Sequence, residues 1–189
     1  MKTVIDNINE IIINKSKFIT LIYNINSIES VNKKLDEAKT LYKDATHYCY
    51  AYIIDNNIKA SDDGEPTGTA GIPILNVLQK QNLNYVLCIV VRYFGGIKLG
   101  AGGLVRAYSK ACKNALIIKE LKKGYLLEIS FDYENIKKID YLLKDCEIIE
   151  KQFNNKTNYK VFIEENLYNN IIDTIKSNCE IINIKNKLY

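Results

Sequence analysis

Tryptophan is absent from this chain, histidine occurs once, and arginine and proline occur twice each in 189 residues. Each scarcity excludes something. One histidine, His47, cannot supply a multi-histidine metal site. No apolar run approaches the roughly 18 residues of a membrane span. Asp6 and Glu10 fall where a signal peptide needs an unbroken apolar core. The five cysteines (Cys49, Cys88, Cys112, Cys146, Cys179) are odd in number and contain no C-x-x-C pair. Three of them occupy apolar periodic positions and read as buried small hydrophobes in a reducing compartment. The expectation is a cytoplasmic protein without a membrane segment. The missing tryptophan, with abundant Asn, Ile and Lys, reads as base composition of the genome.

What is present is ordinary for a globular protein: 47% hydrophobic residues, 25% charged residues and a net charge of +4. That charge permits nucleic acid as a partner without arguing for it. The length allows one or two domains with a real core.

The glycines are unevenly placed. Of nine, five lie between Gly95 and Gly103: Gly95, Gly96, Gly100, Gly102 and Gly103. The only two arginines, Arg92 and Arg106, bracket them, and Lys98 lies among them. Tyr85–Val91 is a short branched apolar run, as expected of a strand buried on both faces. After the glycines, Leu104, Val105, Tyr108, Ala111, Cys112, Ala115 and Leu116 form one apolar helical face. The helix is expected to end near Lys119–Lys123. Its N-terminus, with free N–H groups and a positive dipole end, suits a phosphate or carboxylate. The same glycines would also serve a tight turn and close helix–sheet packing. Five of them, with Lys98 inside and arginine on both flanks, favour the anion. The spacing matches neither the nucleotide P-loop nor the dinucleotide fingerprint.

Elsewhere, residues 4–13 and 17–25 read as a hairpin turning at Asn14-Lys15-Ser16. Ser27 caps a helix to about Tyr42. Thr46–Ile54 is an aromatic-rich strand, with His47, Cys49, Ala51 and Ile53 on one face. Residues 59–73 are too rich in Gly, Pro and Asp for regular structure, and lead to a helix with Pro73 in its first turn. Gly124 marks a boundary. Beyond it the pattern reads strand, helix, strand, strand, helix, strand, the ferredoxin-like βαββαβ unit. Residues 1–122 are expected to be the working domain and 124–189 a packing or docking module without arginine, histidine or proline.

Asp62, Asp63 and Glu65 lie within four residues. They suit a Mg²⁺ site bridging to phosphate, a pairing with Arg92 and Arg106, or an Asp-Gly turn capping its own backbone. His47 is either a general base or a hydrogen-bonded structural residue, the second being the commoner case for a lone strand histidine. Tyr93 and Phe94 either stack on bases or belong to the core.

Asp44–Tyr52, Ser61–Gly71 and Arg92–Tyr108 together resemble the signature blocks of the YigZ/IMPACT family, in the family's order. The resemblance implies an α+β architecture: a left-handed βαβ domain similar to elongation factor G domain IV, followed by a ferredoxin-like domain similar to its domain V. It implies contact with RNA or the ribosome, and a regulatory role in translation. The RWD domain of the eukaryotic members is absent, so the partner interaction it mediates is not carried over. By motif, His47, Asp62, Asp63, Glu65, Arg92, Lys98 and Arg106 belong around the shared surface. The residues favour a non-enzymatic protein that binds RNA or a phosphorylated ligand. The other readings are a phosphate-handling enzyme with a Mg²⁺-dependent acidic loop, and a protein–protein module. The proline dipeptidase label given to some members conflicts with the single histidine and with acidic residues confined to one loop.

Overall fold

The computed structural model describes the backbone of residues 1–188 and the side chains of residues 1–186. The chain divides into two compact units, Met1–Glu120 and Leu121–Tyr189. Both mix helices with antiparallel sheet, so the fold is α+β.

The first unit is built on a five-stranded sheet of β2 (Asn7–Ile13), β3 (Ser16–Asn24), β4 (His47–Ile54), β5 (Asn57–Ser61) and β6 (Val86–Tyr93). Its order is β2-β3-β6-β4-β5, and every neighbouring pair is antiparallel. β3 and β4 therefore run parallel, with β6 between them and helix α1 (Ile28–Leu41) as the crossover.

Strand β6 explains why the unit has two cores. Val86, Cys88 and Val90 face one way and join α2 (Gly71–Lys80) and α3 (Gly100–Ala115). Leu87, Ile89 and Val91 face the other way and join Val31 and Ala38 of α1. All six are fully buried, the outcome expected of an unbroken branched apolar run. Ser27 accepts the Ser30 N–H and caps α1 as its sequence position predicts. Asn14 and Lys15, with φ of 47° and 64°, make the tight turn between β2 and β3.

Three expectations need correction. The first strand is broken: β1 (Lys2–Val4) leaves the main sheet and pairs with β7 (Ile118–Glu120). That pairing also ends α3 at Ala115, short of Lys119. The Asn7 side-chain amide donates to the Ala115 carbonyl at 2.9 Å and satisfies one exposed acceptor of the helix end. Residues 59–61 are not irregular but complete β5 (Asn57–Ser61), reached from β4 through Asp55 at φ 51°.

The second unit contains β8 (Lys123–Phe131), α4 (Ile136–Leu142, preceded by a 3₁₀ turn), β9 (Glu147–Phe153), β10 (Thr157–Glu164), α5 (Glu165–Asn178) and β11 (Glu180–Leu188). Its sheet order, β11-β8-β10-β9, with all pairs antiparallel, is the ferredoxin-like arrangement. Ile139 of α4 and Ile172 and Ile175 of α5 pack on Leu127, Ile129 and Val161 in one core.

Candidate functional site

Sheet register assembles the site. Phe18 of β3, Arg92 of β6 and His47 of β4 are direct neighbours across three strands. Arg92 has the same parity as Val86, Cys88 and Val90, so its side chain continues the face covered by α2 and α3. A guanidinium there must be paired, because only 5% of the residue is exposed. Its partner is Glu65, whose Oε1 accepts from Arg92 Nη1 at 2.5 Å and from the Tyr108 hydroxyl at 2.7 Å. Arg92 Nη2 donates to Ser16 Oγ at 3.3 Å, and the ring of Phe18 lies 5.4 Å from the guanidinium carbon. Among the described residues, Arg92 Nε has no hydrogen-bond partner.

Cys49 borders the same network, with Sγ 2.9 Å from the Asp62 carbonyl and 3.3 Å from the Tyr108 hydroxyl. Burial pushes its thiol up to about 12, although the bond to Tyr108 acts the other way. Burial, with Cys49 and Glu65 alongside, also pushes the Tyr108 hydroxyl far up. Both groups stay protonated at neutral pH, and Cys49 is not a reactive thiolate.

The acidic loop is organised by Asp62. Its Oδ1 accepts from the N–H groups of Ala70 and Gly71, and its Oδ2 from that of Gly68, all at 2.8–2.9 Å. Burial acts to raise this carboxyl, but the three N–H donors outweigh it and hold it below its ordinary value. Asp63 Oδ2 accepts from the Tyr48 N–H at 2.6 Å. The Asp63 carbonyl lies 2.8 Å from His47 Nδ1, so Nδ1 carries the proton and Nε2 faces Glu65 Oε2 at 3.8 Å. The loop thus realises one of its sequence readings and part of another: Asp62 and Asp63 bind backbone, and Glu65 pairs with Arg92, whereas Arg106 is exposed on α3. Among the described residues, no group of three or more His, Cys, Asp or Glu is gathered to hold a metal ion.

The glycine stretch then delivers α3. Gly95 donates its N–H to Ser16 Oγ at 3.2 Å, and a Cβ at this position would overlap the Lys15 carbonyl. Gly96 and Gly100 adopt φ of 82° and 67°, which glycine tolerates best. Leu99 occupies the N-cap without a capping side chain, and the first turn of α3 holds no acidic residue. The N–H groups of Gly100, Ala101 and Gly102 are therefore left for a ligand or solvent.

Gly100 and Ala101 line a cleft of about 440 Å³ together with His47, Glu65, Arg92, Phe94, Lys98 and Leu99. Lys98 is exposed. Arg106 is also exposed, and its Nη1 lies 3.6 Å from where a Cβ on Gly102 would stand, over the first turn of α3. Gly103 lies against Leu99.

The structure therefore gathers His47, Glu65, Arg92, Lys98 and Gly100 around one cleft. It holds Asp62 and Asp63 in the supporting loop, and places Arg106 on the helix surface. The two arginines do different work: Arg92 is a paired strut, and Arg106 is a surface cation. Sequence reasoning missed Tyr108, Ser16 and Thr46 as partners. Tyr108 sits at a core-facing helix position, and its periodicity says nothing about where its hydroxyl points. Thr46 accepts the Phe94 N–H through Oγ1 at 3.0 Å.

Comparison with known proteins places these features in a family. Residues 14–116 match the Impact N-terminal domain. Among curated proteins, the IMPACT family member YvyE of Bacillus subtilis is 39% identical over 83% of this chain and 76% of its own length. The IMPACT family member YigZ of Escherichia coli is 35% identical over 71% of this chain and 70% of its own. Among solved structures, the crystal structure of a hypothetical protein covers 97% of both chains at 26% identity, with a TM-score of 0.61. A looser likeness, with a TM-score of 0.39 and 22% identity, covers 58% of this chain and 44% of the two-domain translational regulator Yih1. On the domain match and the identity to YvyE, the chain belongs to the IMPACT family.

Proposed function

We propose that this chain is a translation-associated regulatory protein of the cytoplasm that holds a phosphate-bearing partner, RNA or the ribosome, at the N-terminus of α3. The observation that carries this reading is the uncapped first turn of α3, open to a cleft that Lys98 lines and flanked by Arg106. Helix amides and two cations that have no ion-pair partner among the described residues complement a phosphate. Membership of the IMPACT family supports the translation assignment. The acidic loop favours binding over Mg²⁺-assisted chemistry, since the Asp62 carboxylate is occupied by backbone donors.

Filter binding to total cellular RNA across a salt series tests the proposal. Lys98→Gln with Arg106→Gln is expected to weaken binding and to lower the salt slope by one to two phosphate contacts, about 0.7 each on single strands. Unchanged affinity and slope in the double variant would refute it. Capture of a translation factor that survives nuclease treatment would point instead to a protein partner.

A further inference from the structure

Glu65 is only half satisfied. Its side chain is 3% exposed, and Oε1 accepts from both Arg92 and Tyr108. Among the described residues, Oε2 accepts from nothing and faces His47 Nε2 at 3.8 Å, beyond hydrogen-bond length. His47 Nδ1 donates to the Asp63 carbonyl, so Nε2 of the neutral ring is an acceptor too. Two acceptors therefore face one another with no donor between them. Both residues line the cleft of about 440 Å³, and unlike Arg92 Nε neither atom is sealed from solvent. A buried carboxylate oxygen without a donor marks a missing one. We propose that the cleft takes a primary alkylammonium group, with its nitrogen between Glu65 Oε2 and His47 Nε2. This inference stands apart from the reading above, since it needs no anion at α3.

The gap selects the head group. A hydroxyl donates one hydrogen and satisfies one acceptor, whereas a primary ammonium has three and satisfies both. Bonds of about 2.9 Å from one nitrogen reach two atoms 3.8 Å apart.

Charge selects a cation. The acidic loop brings three carboxylates, and those of Asp62 and Asp63 bind backbone N–H groups, not cations. Against these three stand two cations, Arg92 and Lys98, so the surroundings of the gap carry one more negative charge than positive. The rest of the lining selects the stem, because Pro66, Phe94, Leu99 and Leu104 offer apolar surface to methylene groups. A lysine side chain and a free polyamine share this chemistry.

Calorimetry and ring-proton shifts of His47 on the intact chain test the proposal. The probes are n-butylammonium, 1-butanol and tetramethylammonium. Butylammonium should bind saturably and at least about ten-fold more tightly than 1-butanol, which lacks the charge, or tetramethylammonium, which lacks the N–H donors. His47→Asn keeps a side-chain nitrogen near the Asp63 carbonyl but removes Nε2, and should weaken butylammonium by about ten-fold. Facing His47 are Glu65 and Asp63 of the loop, Arg92 across the strand and Lys98 on the cleft wall. Protonating His47 turns Nε2 into a donor to Glu65 and closes the gap. Affinity should therefore fall as pH drops from about 8 to 5, a range in which the alkylammonium keeps its charge. Between putrescine and a blocked Gly-Lys-Gly peptide, the tighter binder names the source as free polyamine or protein lysine. Equal binding of the two control probes overturns the proposal. So does an affinity unmoved by pH, or by His47→Asn in a chain of unchanged urea midpoint. If no amine binds at millimolar concentration, the gap holds water only and the proposal fails, with the phosphate reading untouched.

Discussion

The Arg92–Glu65 pair has a measurable consequence that separates a strut from a ligand clamp. The two side chains are 6% and 3% exposed, and their contact is reinforced by Tyr108 and Ser16. Arg92→Leu leaves the Glu65 carboxylate buried with one neutral donor. Glu65→Leu leaves the guanidinium without a carboxylate, held by a 3.3 Å hydrogen bond to Ser16 and by the rings of Phe18 and Phe94. Removing one partner of such a pair costs about 3–5 kcal/mol, because the survivor remains desolvated and uncompensated. The double variant leaves no orphan charge and should cost far less than the sum of the two, giving a coupling of about 3 kcal/mol or more. Lys151–Asp140, at 35% and 41% exposed, is the internal control; Lys151→Ala should cost under about 1 kcal/mol. Urea unfolding by circular dichroism reads the stability, and amide exchange of Cys88 and Val90 in the central strand isolates the first unit. If Arg92→Leu costs less than about 1 kcal/mol while RNA affinity falls, Arg92 is a ligand contact and the strut interpretation is wrong.

Asp62→Asn should destabilise the first unit by about 1–3 kcal/mol in denaturant titration, since a charged acceptor of three backbone bonds is lost. Because the folded carboxyl lies below its ordinary value of 3.8, its contribution is present above that pH and is lost as pH falls through the lower folded value; the Asn variant should lack this part of the acid sensitivity. Among the glycines, Gly102→Ala should be tolerated and should raise stability by up to about 1 kcal/mol, whereas Gly95→Ala collides with the Lys15 backbone and should be strongly destabilised in the same assay. Cys49, Cys88 and Cys112 are buried, and burial raises the Cys49 and Cys88 thiols, so a thiol reagent should reach only Cys146 and Cys179 before unfolding. Rapid native labelling of Cys49 would contradict the buried network.

What the chain reveals before folding depends on range. Local patterns are legible: the unbroken apolar run of β6, the Ser27 cap, and the element order of the second unit, whose sheet is β11-β8-β10-β9. The end of α3 was not, because it is decided by β1, more than a hundred residues earlier in the chain. β5 was hidden because Asp55-Asn56 turns the chain without a glycine, and the following residues look like loop. At the site, the grouping of His47, Arg92 and Lys98 was visible as composition and motif. The division of labour between the two arginines was not. It depends on register, which sets Arg92 beside Phe18 and His47 and aims it at Glu65, whereas Arg106 stays on an exposed helix surface.

The most direct test of the phosphate-binding claim is an amide-resolved titration of the intact chain with single-stranded RNA at low salt. The account predicts that the N–H signals of Gly100, Ala101 and Gly102 shift first and saturably, and that Lys98→Gln with Arg106→Gln suppresses the shifts. Shifts confined to α1 or to the sheet of the second unit, with those three amides unmoved, would contradict it.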